Sequence, residues 1–186
     1  MKEKVSSLII TMTIIGMLSA LALSFVYSWT EPRIEEHRAE RLRNAVFNVL
    51  PDSEDYNEVE KNDEVFYEGI DSSGNKVGVA VIATGPGFQG EIDVVVGVNP
   101  RTEKLYGIEI LDHEETPGLG ARIEDEEYKD NFVDKPFGDY NVIKGHSEGD
   151  YDIEAISGAT VSSENVAEIV EEAIDLIKNV YRGDAG

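Results

Sequence analysis

The spacing of apolar residues changes twice along this chain, and each change marks a different kind of element. Residues 8–29 are mostly Leu, Ile, Met, Ala, Phe and Val, and no charge occurs between Val5 and Thr30. As a helix rising about 1.5 Å per residue, this run reaches roughly 33 Å, enough to cross the hydrocarbon core of a bilayer. Tyr27 and Trp29 sit where an interfacial aromatic belt would lie. A cleaved signal peptide is the competing reading, with Ala20-Leu21-Ala22 as its small-residue site. The apolar run continues past that site and predicts a retained transmembrane anchor in residues 1–30. Lys2 and Lys4 flank one side, Arg33, Arg38, Arg41 and Arg43 the other, so charge counting leaves the orientation open.

Thr30-Glu31-Pro32 reads as the start of a second helix, with Thr30 as cap and Pro32 in the first turn. Ile34, Arg38, Leu42, Ala45, Val46, Val49 and Leu50 recur at helical spacing until Pro51 stops the run. Asp52–Asp63 is acidic and polar and predicts a solvated loop. Residues 31–63 thus read as a connecting helix and an acidic loop.

From Glu64 the period falls to two. Val65–Asp71 and Lys76–Ala83, joined by Ser72-Ser-Gly-Asn75, predict a hairpin. Ile92–Val98 and Lys104–Leu111 predict a second one around Asn99–Glu103. A glycine-rich loop, Thr84–Gly90, lies between the two hairpins. Glu124–Phe132 reads as a short acidic helix, and Tyr140–Lys144 and Tyr151–Ile156 as short strands. Over Ser163–Tyr181 the period returns to 3.6. Val166, Ile169, Val170, Ala173, Ile174, Ile177 and Val180 share one face, with Glu168, Glu171, Glu172 and Asp175 mostly opposite. The expected fold is α+β: an antiparallel sheet packed with helices in residues 64–186, preceded by a single N-terminal transmembrane helix.

Composition narrows the chemistry. The net charge is -22, from 38 acidic and 16 basic residues, so the basic footprint of a nucleic-acid binder is missing. With no cysteine, disulfides, iron–sulfur ligation, thiolate zinc and a cysteine lipid anchor are all excluded. His37, His113 and His146 show no paired ligand spacing, and Glu124-Asp-Glu-Glu127 lacks an EF-hand pattern, so no metal site is expected. The Thr84–Gly90 loop has no Gly-Lys-Ser/Thr ending, which argues against a nucleoside triphosphate. Ser157 lacks a Gly-x-Ser-x-Gly elbow, which argues against a hydrolase.

Two stretches carry more structure than plain loops need. Ser157-Gly-Ala-Thr160 sits between a short strand and the terminal helix, where backbone N–H groups, a hydroxyl and a positive helix end could hold a phosphate. The plainer alternative is a helix capped by Thr160 or Ser162. In His113-Glu-Glu-Thr-Pro-Gly-Leu-Gly120, Pro117-Gly118 favours a tight turn, and Gly118 and Gly120 would let backbone approach a flat ligand.

Together, in this order and behind one apolar span, the two motifs resemble the FMN-binding domain of membrane electron-transport complexes. In size and layout the chain is similar to the G subunit of the Rnf ferredoxin:NAD⁺ oxidoreductase. The C subunit of the sodium-pumping NADH:quinone reductase shares the motifs but is usually longer. The resemblance implies a membrane flavoprotein subunit with FMN joined through its phosphate to Thr160, with no catalytic acid or base of its own. It further implies installation by a flavin transferase that takes FMN from FAD, and partners among the other membrane subunits of an ion-translocating complex. Ser157, Gly158 and Ala159 would shape the turn, and Glu115, Thr116, Gly118 and Leu119 would lie against the ring system. The family's layout would place the domain on the outer face of the membrane. Where the transferase pattern commonly has Asp six residues before the threonine, this chain has Glu154, which keeps the charge. A membrane-tethered interaction module without flavin is the competing class.

Overall fold

The computed structural model describes the backbone of residues 2–146 and 149–181 and the side chains of 7–31, 33–146 and 149–181. It divides into two compact units, Met1–Arg41 and Leu42–Gly186. Helix α1 runs over Lys2–Val49, and its residues from Leu42 onward belong to the second unit. The expected helix start at Thr30 is corrected: the Thr30 hydroxyl donates to the Val26 carbonyl at 2.8 Å inside a continuous helix. Proline at 32 removes one N–H donor, while helix formers on both sides keep the rest of the ladder. The large apolar side chains between Leu8 and Trp29 are exposed. Among the described residues this is the one helix long and apolar enough to cross a membrane.

The second unit is built on a five-stranded antiparallel sheet in the order β1 (Asp55–Lys61), β2 (Glu64–Ile70), β3 (Lys76–Pro86), β4 (Glu91–Asn99), β5 (Lys104–His113). Both faces are covered, which is why the strands read as near-continuous apolar runs. Phe66, Val79, Val81, Val94 and Val96 turn to one face and pack under helix α3 (Thr160–Tyr181) through Val166, Ile169, Val170, Ala173, Ile174 and Ile177. Tyr67, Ala80 and Val95, one position along, turn to the other face and meet Ala45, Val46, Val49 and Leu50 at the end of α1. The strand period of two therefore feeds two cores at once.

Four further corrections concern local structure. Asp52–Asp63, expected as a solvated loop, contains β1, which pairs in register with β2 from Asp55↔Ile70 to Lys61↔Glu64. It is polar because it is an edge strand with only Tyr56, Val59 and Lys61 half-buried. The glycine-rich loop is shorter than expected, since Thr84–Pro86 still pair with Glu91–Asp93 and only residues 87–90 turn. The acidic segment 120–132 is one turn of α-helix, α2 (Glu126–Lys129), between two 3₁₀ turns. Finally β6 (Asn141–Ile143) and β7 (Asp152–Glu154) form a separate two-stranded parallel pair, and α3 begins at Thr160, not Ser163.

Candidate functional site

The start of α3 is held from several sides. Ile153 on β7 is fully buried. The Ala155 N–H donates to the Ile143 carbonyl and the Glu154 N–H to Asn131 Oδ1. The Ile156 N–H donates to Ser163 Oγ at 3.0 Å, and the Ser163 hydroxyl donates to the Ala159 carbonyl at 3.1 Å. Buried Tyr128 donates from its hydroxyl to the Ser163 carbonyl, and burial pushes that phenol well above its ordinary pKa. Between these anchors the chain reverses at Gly158, whose φ of 85° is a left-handed conformation that side chains rarely adopt.

The helix begins at Thr160. This residue is half-buried, and Ala159 before it has only a methyl group. The first backbone bond of the helix runs from the Ser163 N–H to the Ala159 carbonyl. The N–H groups of Thr160, Val161 and Ser162 thus precede the ladder and face outward along the axis. No acidic residue stands in the first turn, although the chain carries 38 of them. A helix end of this kind carries a partial positive charge.

In front of this end lies a cavity of about 710 Å³. Glu115, Thr116, Leu119, Ser157, Gly158, Ala159 and Thr160 all line it, so the two motifs, distant in sequence, meet on one space. Gly118 does not line it; its φ of 79° serves the turn in which the Thr116 carbonyl accepts from the N–H groups of Leu119 and Ala121. Glu115 does not present a free carboxylate. It is buried, with Oε1 accepting from the Phe88 and Gln89 N–H groups at 2.5 and 3.3 Å, and Oε2 accepting from the Ser162 hydroxyl at 2.8 Å. A Cβ at position 120 would collide with Glu115 Oε2, so glycine there leaves room for this carboxylate.

Sequence reasoning missed Phe88, Lys144, Gly145 and Ser162, which also line the cavity. Phe88 could have been found, as a large aromatic residue between glycines in a surface loop. Lys144 could not, because its approach depends on the parallel pairing of β6 with β7. Glu154, noted for its spacing from Thr160, lines the cavity too. Among the described residues no His, Asp and Glu cluster is arranged to hold a metal ion.

Residues 87–175 match the model of the FMN-binding domain family. Over 94% of its length the chain is 33% identical to the G subunit of the ion-translocating oxidoreductase complex of Methanosarcina acetivorans, of which it covers 95%. Over 92% it is 30% identical to the G subunit of the proton-translocating ferredoxin:NAD(+) oxidoreductase complex of Clostridium ljungdahlii, covering 91% of that protein. The fold is that of NqrC from Shewanella oneidensis, with a TM-score of 0.57 at 22% identity over 70% of this chain and 67% of that one. The chain belongs to the family of G subunits of ion-translocating oxidoreductase complexes, with an FMN-binding domain in its second half.

Proposed function

We propose that this chain is a membrane-anchored flavoprotein that carries FMN on Thr160 through a phosphoester and relays electrons within an ion-translocating ferredoxin:NAD⁺ oxidoreductase of the Rnf type. The observation that carries the proposal is the cavity itself. It brings the half-buried Thr160 hydroxyl, the unladdered N–H groups of the first turn and the second motif to one space large enough for a flavin.

The residues fit such a group. The start of α3 favours a phosphodiester charge by about 0.3–1 kcal/mol. Ser157, Gly158 and Ala159 present little bulk beside Thr160, which leaves its Oγ open to a maturing enzyme. In that step a flavin transferase would use FAD: the Thr160 Oγ–phosphorus bond forms, the pyrophosphate bond breaks, AMP leaves and the hydroxyl proton is lost. Thr116 and Leu119 offer a hydroxyl and an apolar face to the ring system. FMN, when bound, supplies the electron-transfer chemistry, and the chain supplies attachment, orientation and the surrounding charge. Residues 1–30 would anchor the flavin-bearing part, 64–186, on the outer side of the membrane, beside the other subunits of the complex.

Thr160→Ala tests the reading. With the transferase co-expressed, the parent chain should fluoresce on a denaturing gel and gain the mass of an FMN ester. The variant should do neither, and fluorescence that survives Thr160→Ala would refute the attachment.

A further inference from the structure

Glu115 is the most heavily tied carboxylate of the site, yet none of its bonds points to a ligand. A carboxylate only 5% exposed, in a chain of charge -22, needs strong partners to stay there. It has them on two elements far apart in sequence. Oε1 takes the N–H groups of Phe88 and Gln89 in the 87–90 loop, and Oε2 takes the hydroxyl of Ser162, which is 2% exposed in the first turn of α3. Its own N–H donates to His113 Nδ1 at 3.0 Å, which fixes the backbone from which the carboxylate reaches.

The loop so held has little else to order it. Within it the Gly87 N–H donates to the Gly90 carbonyl, and two of its four residues are glycine. Yet it carries Phe88, whose side chain is 67% exposed and lines the same cavity as Thr160. Without the Glu115 anchor, the backbone entropy of a turn with two glycines would work against a fixed position for the ring.

We propose that Glu115 is a positioning residue. Its carboxylate clamps the 87–90 loop to the first turn of α3, so that Phe88 stands over the cavity as an aromatic wall before any cofactor arrives. This deepens the flavin reading and rests on it for the identity of the planar group that Phe88 would face. The clamp itself is a property of the unloaded chain. Such preorganisation lowers the ordering cost when a flat ring settles beside Phe88.

The test is hydrogen exchange on the full-length, unloaded chain in detergent. It reads the peptide covering residues 87–90, with the Val94–Val96 amides of β4 as the control for an intact core. In Glu115→Ala the loop amides should exchange about tenfold to hundredfold faster, the range set by losing a bond to a charged acceptor. Glu115→Gln keeps the shape and one acceptor but loses the charge, so exchange should quicken several-fold, since charge-assisted bonds are roughly twice as strong as neutral ones. Should Glu115→Ala expose the core amides, Glu115→Gln decides. Unchanged loop exchange with a protected core overturns the clamp. In the flavin-loaded chain, iodide should quench flavin emission more in both Glu115→Gln and Phe88→Ala than in the parent, and equal quenching in all three overturns the role of Phe88. If flavin survives Thr160→Ala, the attachment reading fails while the exchange result still decides the clamp.

Discussion

The two ends of α3, roughly 33 Å apart for its 22 residues, are built on opposite plans. At the C-terminal end the side chains around Tyr181 answer one another. Tyr181 packs edge-on against Phe66 with ring centroids 5.4 Å apart, and its hydroxyl donates to Glu68 at 2.7 Å. The ammonium groups of Lys61 and Lys76 each lie 4.0 Å from the Tyr181 ring centroid, and Lys76 pairs with Glu68 at 2.8 Å. Cations at this end also suit the negative pole of the helix. At the N-terminal end the residues are small, the first turn holds no acid, and Phe88, Leu119 and Val161 stand exposed around a cavity. One end uses its side chains to close the fold. The other leaves a hydroxyl, a set of N–H groups and an apolar rim around an open cavity.

The largest effect should come from the closed end. Phe66→Ala removes a fully buried ring from beneath Tyr181 and should cost about 3–5 kcal/mol of stability, read by urea unfolding of the full chain in detergent. Below the new midpoint, flavin attachment should be unaffected, because nothing at the cavity changes. Loss of attachment in the folded variant would show that the two ends are not independent. At the open end, Gly120→Ala drives a methyl group into the Glu115 carboxylate and against the Ser162 hydroxyl. Overpacking of this kind costs about 1–3 kcal/mol, and here the damage should concentrate on the cavity. Flavin content should fall further than stability does, and a fall in stability alone would contradict the division between the ends.

How much of this was legible beforehand follows the range of the forces involved. The strands from β2 to β5 and the apolar face of α3 were readable because alternation and the 3.6 period are local. The edge strand β1 was not, since its burial is only partial and its composition is that of a loop. Asn62 and Asp63, with φ of 56° and 67°, form the two-residue hairpin turn that joins it to β2, and that dipeptide was the signal available. At the site, the two motifs stood out by their turn chemistry, and the resemblance alone set them side by side. The hydrogen bonds of Glu115 were not legible, because its partners lie 27 and 47 positions away and only tertiary packing brings them within reach.

Acid should separate the closed end from the rest of α3. Burial alone would raise the Glu68 carboxyl, but hydrogen bonds from Lys76, Tyr181 and Lys61 outweigh it and hold the pKa below its ordinary 4.5. The stability Glu68 contributes is therefore present above that value and lost as pH falls through the lower folded value. Its side chain is 20% exposed and its ion pairs are near the surface, so Glu68→Gln should cost about 1 kcal/mol or less at neutral pH and flatten the acid loss. A pH series of unfolding midpoints checks both.

Glu171, midway along the same helix, has the opposite sign and the smallest effect. Burial raises its pKa first, and Asp139, Glu168 and Asp175 add to the rise, although the Tyr140 N–H donates to it at 2.6 Å and works the other way. A raised carboxyl binds more protons in the folded state, so its contribution to stability grows as pH falls through the folded value and is lost as pH rises. Glu171→Gln keeps an acceptor for the Tyr140 N–H and removes the charge that its neighbours repel. The variant should be more stable than the parent at neutral pH by a few tenths of a kcal/mol, the usual range for surface changes, and the gain should vanish on acidification. A variant less stable at neutral pH would mean that the bond from Tyr140 outweighs the repulsion, and that the middle of α3 shares the closed end's electrostatics.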